Sequence, residues 1–240
     1  MKAALGVDIG GTSMKLGRVD LDAPADTVVS SVPTSRSARP DEILDHLAVA
    51  IDAVGAVGAV GIGFCGYVSR GVVVDANNLD DAWAGFELEQ AVKDRFGLGT
   101  VVLNDADAAA VSEVPLCVER GRVLFITLGT GVGSAVIENG VVLPGLELGG
   151  AWVKDSIADR HASTKCVRDG DWATWSTRVD DVLEVLTDLV RPDHIILGGG
   201  ASERWSDWGS AISPPVPTTP ATFRNRAGVL GAALATVTDK

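Results

Sequence analysis

The feature that most constrains the fold is a pattern that occurs twice. Leu5-Gly-Val-Asp-Ile-Gly-Gly-Thr12, continued by an apolar run to Val19, reads as strand, Gly/Thr turn, strand. Ile126-Thr-Leu-Gly-Thr-Gly131, continued to Val136, repeats the plan about 120 residues later. In such a hairpin the glycines leave room for a ligand against the backbone, and free N–H groups can point at phosphate oxygens. One copy is no more than a Gly-rich hairpin. Two copies in a chain of 240 residues suggest two similar lobes facing each other across a cleft. Neither turn carries the Gly-Lys-Ser/Thr of a P-loop, and neither opens a helix as a dinucleotide fingerprint does.

The rest of the chain alternates strands and helices. Ile43, Leu44, Leu47, Ala48, Ile51 and Val54 recur at helical spacing over Asp41–Val54. Val57–Phe64 follows as a buried strand, then a helix over Phe86–Phe96, a strand over Thr100–Leu103 and helical sequence over Asp107–Val114. After the second hairpin come a helix over Asp180–Leu189, a strand over His194–Leu197 and a small-residue helix over Ala227–Ala235. This alternation predicts the α/β class. Pro214–Pro220 reads as a rigid surface connection, and the spacing of Trp172, Trp175, Trp205 and Trp208 predicts core packing in preference to carbohydrate stacking.

The formal net charge of −12 argues against a nucleic-acid partner, which needs a basic footprint. Lys15, Arg18, Arg70, Lys93, Arg120 and Arg122 are the candidates for a local basic track along a polyanion. Cys65, Cys117 and Cys166 contain no Cys-x-x-Cys pair, so no zinc site or disulfide framework is expected, and a reducing cytoplasm fits. The uncharged stretch Ala53–Val68 falls short of the roughly 18–20 residues of a membrane helix. Asp8 comes too early for an export signal.

Three places carry candidate chemistry. In the first turn Gly10, Gly11 and Thr12 would cradle phosphate and Lys15 would add a charge. Asp8, at the strand end, is placed to hold Mg²⁺ directly or through water. Gly129, Thr130 and Gly131 read the same way. Asn104-Asp105-Ala106-Asp107 ends a strand and opens a helix. Asp105 can take a proton from an attacking hydroxyl and Asn104 can bond a sugar hydroxyl. A helix cap is the other reading of Asp105. Gly198, Gly199 and Gly200 follow an apolar strand; they either let adenine or ribose lie against the backbone or simply turn the chain.

Together with Gly61-Ile-Gly-Phe64, Ala76-Asn-Asn-Leu-Asp80, Glu147-Leu-Gly149 and Asn225…Gly228…Gly231-Ala-Ala233, these motifs are similar to the ROK family, specifically its polyphosphate-glucokinase branch, over about residues 4–235. The resemblance implies an actin-like, ribonuclease H-like ATPase fold. It implies a first lobe over 1–108 and a second over 109–240, with the last helix free to pack back on the first. It implies a homodimer that uses ATP or polyphosphate with Mg²⁺ and no structural zinc. It implies Asp105 as base and Asn78, Asn104 and Glu147 as sugar contacts. No added DNA-binding segment precedes residue 4, so the family's repressors match poorly. Three positions depart from the pattern: Gly150 and Trp152 stand where a sugar-binding His and Glu are expected, and Cys65 replaces a Pro. Trp152 then stacks on a sugar face or fills the site, while Lys154, Asp155 and His161 read as solvated surface or as substitute ligands. The alternative to a kinase is a non-catalytic relative acting as sensor or partner-binding protein.

Overall fold

The computed structural model describes residues 3–35, 37–76, 79–117 and 121–238. Two compact units divide the chain: Met1–Ser112 with Gly228–Lys240, and Glu113–Ala227.

The first unit is built on β1 (Ala3–Ile9), β2 (Ser13–Asp20), β3 (Ser30–Pro33), β4 (Ala59–Phe64) and β7 (Gly99–Asn104), in the spatial order β3-β2-β1-β4-β7. β1 pairs antiparallel with β2, and β1, β4 and β7 run parallel. Sequence decides the pairing. β1 and β4 are short apolar runs buried on both faces, as central parallel strands must be. Helix α1 (Pro40–Val54) starts with Pro40 in its first turn and Asp41 and Glu42 beside it, buries Ile43, Leu44, Leu47 and Ala50, and stops at Gly55. A hairpin of β5 (Tyr67–Ser69) and β6 (Val72–Asp75), α2 (Leu88–Phe96) and α3 (Asp105–Glu113) complete this part.

The second unit repeats the plan. β8 (Arg122–Leu128), β9 (Val132–Glu138), β10 (Val141–Leu143), β13 (His194–Gly198) and β14 (Thr218–Pro220) lie in the order β10-β9-β8-β13-β14. Again the first two strands form an antiparallel hairpin, and the first is continued by parallel neighbours. The repeat seen in sequence is therefore a repeat of whole sheets. A small hairpin of β11 (Trp152–Val153) and β12 (Ser156–Ile157) leads into α4 (Ala158–His161), followed by α5 (Trp172–Val190) and α6 (Trp205–Trp208).

Helix α5 begins eight residues before the expected Asp180. The side chain of Asp171 caps it by accepting from Thr174 N–H at 2.9 Å, a start concealed by poor helix formers such as Trp and Thr. Trp175 and Trp208 are fully buried, with rings 5.2 Å apart edge to face, and each indole N–H reaches a backbone carbonyl. The tryptophans are packing residues, as their spacing predicts. The end of the Pro214–Pro220 segment is not merely a loop: Thr218–Pro220 is the edge strand β14, where a proline is tolerated.

The final helix, α7 (Ala227–Leu234), carries no charged residue and packs in the first unit through glycines. A Cβ on Gly6 would lie 2.0 Å from the Val229 carbonyl oxygen, one on Gly61 1.7 Å from that of Ala232, and one on Gly231 1.7 Å from that of Ala108. No helix among the described residues is long and apolar enough to cross a membrane.

Candidate active site

In the first unit the strand register brings the chemistry to one edge. Ile9, Phe64 and Asn104 stand in a row across β1, β4 and β7, so these three parallel strands end together. Asp8 is one residue inside that edge and Asp105 one residue beyond it. Cys65, just past β4, lies between them. Burial, and then the carboxylates of Asp105 and Asp8, push its thiol pKa well above the usual range. Both carboxylates therefore lie close enough to Cys65 to act on its thiol.

The cap at the head of α3 belongs to Asn104, not to Asp105. Asn104 Oδ1 accepts from Ala106 N–H at 2.8 Å and Asp107 N–H at 3.2 Å, and Nδ2 donates to the Gly66 carbonyl at 3.1 Å. Asp105 is left half-exposed in the first turn, with one oxygen 2.8 Å from Ala106 N. Gly63 makes this possible: a Cβ there would crowd Ala108 Cβ at 3.1 Å. Asn104 is 7% exposed, and both ends of its amide bond the backbone. Asp107, 2% exposed, is a buried residue of the first turn.

The turn between β1 and β2 has its acceptors tied down. Thr34 Oγ1 donates to the Gly10 carbonyl at 2.7 Å, Thr34 N–H to the Thr12 carbonyl at 3.1 Å, and Gly10 N–H to the Ser13 carbonyl at 3.0 Å. The N–H groups of Gly11 and Thr12 donate to no described residue. Lys15 stands opposite Asp8 across the hairpin and holds its Oδ2 at 3.0 Å. Its charge is paired with Asp8 in this structure, in the turn where Lys15 is expected to add a charge for phosphate.

The turn between β8 and β9 follows the same scheme with other residues. Thr164 donates both N–H and Oγ1 to the Gly129 carbonyl at 2.8 Å, Ser163 Oγ donates to the Thr130 carbonyl at 2.8 Å, and Gly129 N–H closes on the Gly131 carbonyl at 2.9 Å. Asp159 Oδ1 accepts from Val132 N–H at 2.9 Å and would lie 2.0 Å from a Cβ on Gly131. The N–H groups of Thr130 and Gly131 donate to no described residue. Gly199, with φ of 76°, packs so tightly on Leu128 that a Cβ would sit 2.5 Å from its carbonyl oxygen. The Gly198–Gly200 turn and the Gly129–Gly131 turn are therefore neighbours. Thr34, Asp159, Ser163 and Thr164 carry no recognisable motif and were invisible in sequence.

Glu147 and Gly150 are exposed, a Cβ on Gly150 would meet nothing within 4 Å, and Trp152 is 70% exposed. Trp152 thus presents its indole instead of filling a cavity. Asn78 and Arg120 lie outside the described residues. Of the remaining candidates for a basic track, Arg122 pairs with Glu138 as Lys15 does with Asp8. Asp155 is exposed, but His161 is neither solvated nor free: it is 6% exposed and its Nε2 lies 2.9 Å from Asp181 Oδ2. Lys154 Nζ holds the other oxygen of Asp181 at 2.7 Å. Among the described residues no three metal-ligating side chains cluster.

Burial alone would raise the Asp181 pKa, but hydrogen bonds and charge from Lys154 and His161 outweigh it and hold the carboxyl below its ordinary 3.8. A depressed carboxylate stabilises the fold above the unfolded pKa and loses that contribution as pH falls through the folded value. The gap in melting temperature between wild type and Asp181→Asn is therefore expected to be constant near neutrality and to close below pH 3.8, which calorimetric melts across an acid series can measure.

The ROK family model matches residues 4–174 of the chain. The chain belongs to the ROK family. The polyphosphate glucokinase of Mycobacterium tuberculosis H37Rv is 34% identical over 243 residues, which covers 98% of this chain and 91% of that protein. A glucokinase of Streptomyces coelicolor is 38% identical over 57% of this chain and 44% of its own length. Among solved structures, an inorganic polyphosphate/ATP-glucomannokinase from Arthrobacter sp. strain KM superposes with a TM-score of 0.89 at 34% identity and 98% coverage of both chains. The fold is the actin-like one of the ROK sugar kinases.

Proposed function

We propose that this ROK protein is a glucokinase-like kinase that moves a phosphoryl group from ATP or inorganic polyphosphate to a hexose hydroxyl. The observation that carries the reading is the pair of carboxylates, Asp8 and Asp105, flanking Cys65 where β1, β4 and β7 end together. The names of the relatives that match along the whole chain support the same reaction class.

In this reading Asp105 accepts the proton of the attacking hydroxyl. That oxygen bonds to the terminal phosphorus while the bond to the leaving phosphate breaks, its electron pair staying with the leaving oxygen. The N–H groups of Gly11 and Thr12 in one turn and of Thr130 and Gly131 in the other, which donate to no described residue, bind phosphate oxygens, and Gly198–Gly200 borders the nucleoside when ATP is the donor. Glu147 bonds sugar hydroxyls and Trp152 supplies a stacking face; Asn78 is assigned to the sugar by family resemblance alone. Asp8 fits Mg²⁺, which takes one or two carboxylates besides phosphates and water: Oδ2 is held by Lys15, and Oδ1 accepts no bond from the described residues. When bound, the ion neutralises donor charge. The three free thiols fit a reducing cytoplasm, and family resemblance supports a homodimer.

The test is phosphoryl transfer by the purified protein over a panel of hexoses and amino sugars, with ATP and with polyphosphate. Formation of a sugar phosphate with at least one donor is expected. Folded protein that binds donor but phosphorylates no sugar would overturn the proposal and leave the sensor reading.

A further inference from the structure

The Lys154–Asp181–His161 cluster is not used by the chemistry above, yet it sits where two functional segments meet a common support. Asp181 lies on α5. One of its oxygens holds Lys154, in the bend of the β11–β12 hairpin two residues after Trp152. The other holds His161, the last residue of α4. The His161 carbonyl also accepts from Arg178 Nη1 at 3.3 Å, so α4 is tied to α5 twice. From α4 and the residues just after it come Asp159, Ser163 and Thr164, which hydrogen-bond the Gly129–Val132 backbone of the turn. The hairpin itself joins α4 through the bond from Ala158 N–H to the Ala151 carbonyl at 2.8 Å.

We infer that Asp181 is a positioning residue that sets two things at once: the height of the phosphate-binding turn, through His161 and α4, and the pose of Trp152, through Lys154. The inference rests on the site roles proposed above, but its two arms are separable. Lys154 is 64% exposed and belongs to the hairpin, so its removal loosens Trp152 and leaves the His161–Asp181 tie, and with it the turn, in place. His161 is buried, so its removal leaves Asp181 half-paired and loosens one of the two ties of α4 to α5, and with it the turn.

Calorimetry with two probes, glucose and tripolyphosphate, tests this on the full chain. Lys154→Met is expected to weaken glucose about two- to fivefold, the scale of an exposed ion pair, without changing tripolyphosphate binding. Lys154→Arg restores it. His161→Phe is expected to weaken tripolyphosphate about tenfold, the scale of a lost hydrogen bond to a charged group. Asp181→Asn weakens both. Amide exchange supplies a readout that needs no ligand: Asp181→Asn speeds exchange at Val132 and in Trp152–Ile157, whereas Lys154→Met speeds only the hairpin. Variants that lower melting temperature but leave both affinities and both exchange rates unchanged overturn the inference, as do Lys154→Met and His161→Phe acting identically on the two probes. Wild type that binds both probes without turnover sinks the kinase proposal instead, and leaves the positioning claim to be decided by the affinities.

Discussion

Asp105→Ala is expected to lower the rate of sugar phosphorylation by about 10²–10⁴-fold, the usual worth of a positioned general base. The KM for sugar should change little, because the proton is taken in the transition state and not in the ground state. Steady-state kinetics at saturating donor measures both. The variant should stay folded, since the head of α3 is capped by Asn104 and not by Asp105. Asn104→Ala provides the contrast: loss of the cap costs about 1 kcal/mol of stability, and the catalytic rate falls only as far as Asp105 loses its placement. Activity of Asp105→Ala within tenfold of wild type would remove Asp105 from the mechanism.

Gly231→Ala is expected to destabilise the protein more than any change at the surface. Two effects oppose each other. Alanine is the better helix former by about 1 kcal/mol. Against that, its Cβ would lie 1.7 Å from the Ala108 carbonyl oxygen and 2.9 Å from Ser112 N, both backbone atoms of α3 that cannot swing aside. Overpacking of this kind costs about 1–3 kcal/mol and sometimes more. Because the contact here is with backbone, the clash wins. The melting temperature should fall by about 2–12 °C, taking 2–4 °C per kcal/mol for a chain of this size. Gly61→Ala, whose Cβ would strike the Ala232 carbonyl oxygen from the sheet side, should behave alike. Melts unchanged to within a degree in both variants would mean that α7 does not pack as described.

Much of this was legible in the sequence, for a physical reason. Glycines at turns and apolar residues at period two or three to four leave local marks, so both hairpins, α1 and the run of parallel strands could be read directly. What escaped reading depends on distant partners. Thr34 reaches Gly10 from 24 residues away and Thr164 reaches Gly129 from 35, and neither threonine stands in a motif. The choice between Asn104 and Asp105 as cap turns on a single residue of register, which only the β4–β7 pairing decides. His161 was read as surface because a lone histidine in polar sequence does not announce its aspartate, 20 residues on.

The hydroxyl-braced bends carry one more consequence. With the carbonyls of Gly10, Thr12, Gly129, Thr130 and Gly131 already accepting from threonine, serine and backbone, what each bend has left to offer a visitor is chiefly donors. Under the phosphate role proposed for them, a mould of that kind would grip any tetrahedral oxyanion and be indifferent to what hangs beyond it. Nucleoside triphosphates and bare chains of condensed phosphate would then be interchangeable at the point of contact, and any preference between them would be decided further along the donor.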